Sequence, residues 1–172
     1  MYTKHTDFFN EFIVKRKWGS PEYIKITTII LIALALILVS VYFFSYIFFI
    51  FPVLIPLIVV LAIFLIKRLD VEYEYIVTNG NLEIARIVNK KRRKVVVNLT
   101  TEDILKVEKF DEFNWQKADS LKIIDCTSKT TNSVWCILCI DSNRKIVVLI
   151  DGIDNILEGI RKYNRSKFSS GI

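Results

Sequence analysis

The sequence predicts an α+β membrane protein: a two-helix transmembrane hairpin followed by a seven-stranded antiparallel barrel with a C-terminal helix. Three observations carry this. The roughly 40 residues from Ile26 to Ile66 hold no Asp, Glu, Lys, Arg or His. From Asp70 onward the helical apolar bulk gives way to alternation with a period of two, and the chain closes on one amphipathic helical stripe.

A helix needs about 20 apolar residues to cross a hydrocarbon core of about 30 Å, so the uncharged run has room for two crossings. The first is expected from about Ile24 to Tyr46 and the second from about Phe51 to Ile66. Pro52 falls in the first turn of the second, where its missing N–H is no loss, and Pro56 lies one turn further in. Lys15, Arg16, Lys17 and Lys25 precede the first span, Lys67 and Arg68 follow the second, and the intervening loop is uncharged. The positive-inside rule then places both ends in the cytoplasm and the protein in the cell membrane as a multi-pass chain.

Ahead of the spans, Phe8, Phe9, Phe12 and Ile13 recur at helical spacing before the basic cluster. This predicts a short interfacial helix, with its apolar face in the acyl boundary and Lys15, Arg16 and Lys17 among anionic headgroups.

In the second half, Val71, Tyr73, Tyr75 and Val77 alternate with Glu72, Glu74 and Thr78, and Asn79-Gly80 marks a type I′ hairpin. Further strands are expected at Leu82–Val88, Lys94–Leu99, Ile104–Phe110, Leu121–Cys126, Val134–Ile140 and Lys145–Ile150. Asp151 is expected to cap a helix with Asp154 in its first turn, Ile153, Ile156, Leu157 and Ile160 along one stripe, and Arg161 and Lys162 at its carboxyl end. Seven short strands and a closing helix in about 100 residues is the layout of a pleckstrin-homology-like barrel. An open antiparallel sheet with a helix on one face is the alternative. The resulting divisions are a basic amphipathic segment at 1–23, the hairpin at 24–68, the barrel domain at 69–165 and a tail at 166–172.

Little in the domain points to catalysis. The only histidine, His5, stands in the N-terminal segment, and no phosphate-binding loop, dinucleotide fingerprint or nucleophile elbow occurs. Cys136 and Cys139 form a C-x-x-C, but residues three apart on a strand face opposite ways, and three cysteines in a reducing compartment read as free thiols. No catalytic residue, cofactor or metal ligand is therefore assigned. The spans carry no ionisable group of the kind that marks most ion and proton pathways.

The remaining charge is concentrated in "NKKRRKV". From Asp70 on there are 17 basic and 15 acidic residues, and Lys90, Lys91, Arg92, Arg93 and Lys94 supply five of the positives. The basicity is thus a patch. Because the first hairpin turns away from the linker and the second strand returns, this patch is expected beside the membrane, in contact with anionic lipid. No aromatic residues interleave with it, which argues against nucleic acid. Trp115, in the aromatic loop "FDEFNWQKAD", is the candidate anchor for a protein partner.

A basic amphipathic start, a two-span hairpin, "DVEYEYIVTNGNLEI", the "KKRRK" turn and a final helix together resemble an uncharacterised family of small membrane proteins, mostly from Firmicutes, related to bacterial pleckstrin-homology-like domains. The resemblance covers nearly the whole chain and is most specific at Asp70 to Ile84. It implies a fold, and it carries over no catalytic residue because that family has no established activity. Eukaryotic domains of this fold that bind phosphoinositides place basic residues on the first inter-strand loop. Here that loop is read as the uncharged Asn79-Gly80 turn, which favours generic acidic-lipid contact. The expected function is a membrane-anchored, non-enzymatic binding or scaffold module serving the lipid bilayer and a protein partner, a second copy of the chain included. The alternative is a small oligomeric transport or channel subunit with a cytoplasmic assembly domain.

Overall fold

The computed structural model describes residues 8–113, 121–141 and 144–168. The chain forms two compact units, one from residues 1–17 and 72–172, the other from residues 18–71. The second unit is an insertion in the first.

The inserted unit is helical. Helix α1 (Ser20–Tyr42) starts at Gly19, whose N–H donates to the Glu22 carboxylate at 2.8 Å, with Pro21 in the first turn. It is followed by a short α2 (Phe44–Ile47) and by α3 (Phe51–Lys67), which contains Pro56. By length and composition α1 is long and apolar enough to cross a membrane, whereas α3 is a shorter apolar helix of 17 residues. Ile29, Ile32, Ala33 and Leu36 of α1 line an apolar crevice with Ile58 and Leu65 of α3.

The other unit holds eight described strands in two four-stranded sheets, where the sequence predicted one barrel of seven. The first sheet runs β1 (Phe9–Lys15), β2 (Val71–Thr78), β3 (Asn81–Val88), β4 (Arg92–Leu99). The second has the order β5 (Ile104–Lys109), β7 (Val134–Asp141), β8 (Arg144–Asp151), β6 (Lys122–Asp125). Strand β6 pairs with β8 in parallel, so the antiparallel expectation fails there.

The additional strand is β1. The segment expected to be an interfacial helix pairs antiparallel with β2 over its whole length, from Phe9↔Thr78 to Lys15↔Glu72. Phe8, Phe9, Phe12 and Ile13 fit a helical face and a strand about equally well, and the tertiary pairing decides. The stripe is thereby split: Val14 is buried, Phe9 and Ile13 are exposed on one face, and Phe8 lies against α4 (Asp154–Tyr163).

The core is filled by Tyr75, Val77, Leu82, Ile84 and Leu99 of the first sheet and Ile104, Val107, Ile137 and Ile150 of the second, all fully or almost fully buried. Helix α4 adds Ile156 and Ile160. Gly159 packs so closely that a Cβ there would run into the Phe8 ring and Val77. The N-cap of α4 is Ile153, not Asp151. Asp151 ends β8, is buried, and takes the Ser128 N–H at 3.1 Å on both carboxylate oxygens. Fixing that loop leaves its carboxylate unavailable to the helix.

Asn79 and Gly80 have φ of 50° and 83°, the left-handed pair that a type I′ turn requires. The tip is held by the end of α4: Tyr163 Oη donates to Asn79 Oδ1 at 3.1 Å and Asn164 Nδ2 donates to the Gly80 carbonyl at 3.2 Å.

Candidate functional site

The basic run sits on the β3–β4 hairpin, and its position follows from the register. Strands β1 and β2 bring Lys15 opposite Glu72, and the Asn79-Gly80 turn lies at the other end of the sheet. Strand β3 then returns, with Val88 opposite Arg92 across the turn of Asn89, Lys90 and Lys91. One end of the first sheet therefore carries the basic turn together with both covalent links to the inserted unit. The first inter-strand connection is that insertion, residues 16–70, which corrects the reading of Asn79-Gly80 as the first loop.

Asn89 and Lys90 have φ of 51° and 53°. Asparagine tolerates the left-handed region, but a lysine is held there at a cost of about 1 kcal/mol. Glycine would relieve this and carry no charge.

Of the five predicted residues, Lys90, Lys91, Arg92 and Lys94 are exposed and make no ion pair among the described residues. Arg93 is different. Its Nε donates to Glu74 Oε2 at 2.5 Å and its Nη2 to Glu83 Oε1 at 2.7 Å, a link that crosses β4, β3 and β2. These bonds raise its pKa further and commit the guanidinium to the sheet.

The N-terminal cations are also divided. Arg16, expected at headgroups, donates from Nη1 to Tyr73 Oη at 3.0 Å and from Nη2 to Asp125 Oδ2 at 3.1 Å. It joins β1 to the end of β6 and is a structural link between the sheets. Lys17 donates its backbone N–H to the Ser128 carbonyl at 2.8 Å and keeps an exposed side chain, and Lys15 is exposed opposite Glu72.

Beneath Arg16, Tyr75 is fully buried; its Oη donates to the Cys126 carbonyl at 2.7 Å and accepts the Asp151 N–H at 3.4 Å. Burial, and then the Asp151 charge, raise its pKa above the ordinary phenol range.

Cys136 and Cys139 face opposite sides of β7, as the spacing predicts. Cys136 packs with Phe113 and Val147 on the outer face of the second sheet, and Cys139 Sγ lies 3.7 Å from the Ile146 carbonyl. Burial pushes both thiols, and Cys126, up to about 12. Among the described residues no three His, Cys, Asp or Glu side chains gather as metal ligands would. Trp115 and His5 lie outside the described residues.

Arg86 was absent from the sequence-derived set. It is exposed, stands opposite Lys94, and acts electrostatically on Tyr73 and Cys126. Its signal is the register of β3 against β4, which a linear reading does not contain.

A family model described as a bacterial PH-like domain (DUF6106) matches residues 6–170. No curated protein and no solved structure matches the chain.

Proposed function

Because the chain belongs to the bacterial PH-like domain family, PH standing for pleckstrin homology, we propose that it is a membrane-tethered, non-enzymatic binding module. Its inserted apolar unit anchors it, and its basic end lies against an anionic cytoplasmic leaflet. The carrying observation is that β1 and β2, the strands on either side of the insertion, are neighbours in one sheet. A chain that leaves from β1 and returns to β2 comes back to the same side of any bilayer it enters. If α1 crosses, α3 returns, which supports two crossings, with Pro56 and the short length of α3 accommodated by local thinning.

The leaflet then faces Lys90, Lys91, Arg92 and Lys94. Each basic residue near an anionic surface contributes about 1 kcal/mol, so the four hold the domain with a few kcal/mol, screened by salt over a Debye length of about 10 Å at 0.1 M. The opposite end, where α4 meets the Asn79-Gly80 tip, stays open to a protein partner.

The test uses the full chain in nanodiscs. A Lys91→Cys variant takes one fluorophore selectively, because the native cysteines are buried. Nitroxide on the lipid headgroups is expected to quench it in anionic discs at low salt, and to quench it much less in neutral discs, at high salt, or with Lys90, Arg92 and Lys94 changed to alanine. Equal quenching in all four conditions sinks leaflet contact by the basic end. Tags at the two termini are expected on one side of sealed vesicles; opposite sides would overturn the two-crossing reading.

A further inference from the structure

The connection between α1 and α3 is made almost wholly of aromatic side chains. Residues 42–51, "YFFSYIFFIF", hold seven rings and no Asp, Glu, Lys, Arg or His. The rings form a cluster. Phe44 meets Phe48 and Phe51 edge-on, with ring centroids 5.5 and 4.8 Å apart, and so ties α2 to the start of α3. Phe43 meets Tyr42 at 5.0 Å and Tyr46 at 6.3 Å. Such pairs hold the tip together beyond what their buried area alone contributes. Even so, much of the cluster faces outward: Tyr42, Tyr46 and Phe49 are 82%, 87% and 92% exposed.

The backbone of the tip has the opposite need. Its helical ladder is interrupted at Phe43 and again at residues 48–50. Pro56 has no N–H, so the Pro52 carbonyl lacks the usual donor four residues on. Interruptions of this kind leave N–H and C=O groups that need other partners, and hydrocarbon offers none. Water must therefore reach this backbone, whereas seven rings standing in bulk water would carry the full cost of apolar hydration. One layer meets both requirements: the headgroup zone, about 5–7 Å deep on each side of the hydrocarbon. Tyrosine is enriched there because its ring is apolar and its hydroxyl is wet.

Helix length fixes where the tip can stop. At 1.5 Å per residue, α3 is about 25 Å long against a hydrocarbon core of about 30 Å. With Lys67 at the near interface, the start of α3 falls about 5 Å short of the far boundary. The far headgroups must come down to the tip, which is local thinning of one leaflet.

We propose that residues 42–51 are a docking surface for the far leaflet, an aromatic wedge seated at the boundary between phospholipid headgroups and acyl chains. The proposal rests on reading the inserted unit as two crossings. Having no charge, the wedge takes neutral and anionic phospholipid alike. The basic turn and the tip thus engage lipid by different physics, one sensitive to salt and headgroup charge and the other to neither.

The test uses the full chain with Ile50→Cys, which keeps every ring and takes one fluorophore because the native cysteines are buried. In nanodiscs, nitroxide at the headgroup or at the carboxyl end of the acyl chain is expected to quench the label strongly. Nitroxide at the methyl end, and iodide in the water, are expected to quench it several-fold less. The pattern is expected to be the same in neutral and anionic discs, at low and high salt, and in lipids with longer acyl chains. In sealed vesicles sorted for an outward N-terminal tag, reducing the outer-leaflet nitroxides with ascorbate is expected to leave the quenching in place. Strong iodide quenching, with both terminal tags on one side, overturns the wedge and leaves the two crossings standing. Quenching by neither lipid nor iodide means that protein covers the tip, a second copy included, and overturns the wedge as well. A shift toward methyl-end quenching in longer lipids shows a tip that draws no headgroups to it, which also overturns the docking surface. Loss of quenching to ascorbate puts the tip in the near leaflet and overturns the crossing together with the wedge.

Discussion

Arg93 on β4 and Glu74 on β2 are two strands apart, yet Nε and Oε2 meet at 2.5 Å, reaching over β3, where Glu83 accepts the second half of the fork. The contact fixes the order of three strands at the end where the chain enters and leaves the inserted unit. Arg93→Ala is therefore expected to lower the thermal midpoint of the domain more than Lys90→Ala or Lys91→Ala does, while altering the salt dependence of headgroup quenching less than they do. Both quantities come from one purified set of variants. A pattern with the roles reversed would return Arg93 to the lipid-facing set.

Strand β1 makes the domain discontinuous in sequence. Residues 71–172 expressed alone lack β1, the Arg16 link to Tyr73 and Asp125, and the Phe8 packing on Gly159. They are expected to show poorly dispersed amide resonances. Joining 8–17 to 71–168 through a turn of about four Gly/Asn residues is expected to give a folded soluble domain, because Lys15 and Glu72 are already register partners. Equal dispersion of the two proteins would show that β1 is dispensable.

Tyr75→Phe removes one hydroxyl from a fully buried site and leaves the Cys126 carbonyl and the Asp151 N–H without it. The expected loss is about 1–3 kcal/mol in chemical denaturation, with an unchanged denaturant slope. A loss within error would mean that water replaces the hydroxyl.

The three buried thiols set an alkaline limit. Their folded pKa values of about 12 lie above an unfolded value near 8.5, so above that pH the unfolded chain binds fewer protons than the folded one. The stabilisation is complete below about pH 8.5 and is lost as the pH rises toward 12, and Tyr73 and Tyr75, both raised by burial, act in the same direction. Unfolding at fixed denaturant is expected to become easier across this window, and a thiol reagent at pH 8 is expected to react only as the domain opens. Fast labelling of three thiols in the folded chain would contradict this burial.

Lys90→Gly is expected to raise stability by up to about 1 kcal/mol, because φ of 53° costs glycine nothing, and to reduce anionic-leaflet contact. A destabilised variant would show that the lysine side chain is used in the folded domain itself.

Local signals were readable where partners are close in sequence. Asn79-Gly80 announces its turn, the alternation of Val71 to Val77 gives its buried face, and the stripe of Ile156 and Ile160 gives α4. Strand β1 was not readable, since its partner lies more than fifty residues away across the apolar insertion and nothing in "FFNEFIVK" distinguishes a strand from a half-buried helix. Nor was the β-bulge in β4, where pairing passes from Ile84↔Val97 to Ala85↔Val95: Val95, Val96 and Val97 are chemically identical, so the sequence does not say which of them is extra. One miscounted residue inverts the faces of Arg92, Arg93 and Lys94. Arg16 was likewise placed by its neighbours in sequence, whereas Asp125 and Tyr73 decide its position.

The order of strands also bears on how the protein is made. The ribosome finishes β1 first, then emits the whole apolar insertion, and only afterwards supplies β2. During that interval a short segment rich in phenylalanine has no ladder to join, and Phe9, Phe12 and Ile13 remain partly exposed even when it does. Closing the first sheet therefore records a completed event in biosynthesis: the two ends of the insertion have arrived together, and a chain in which they have not keeps an unpaired strand.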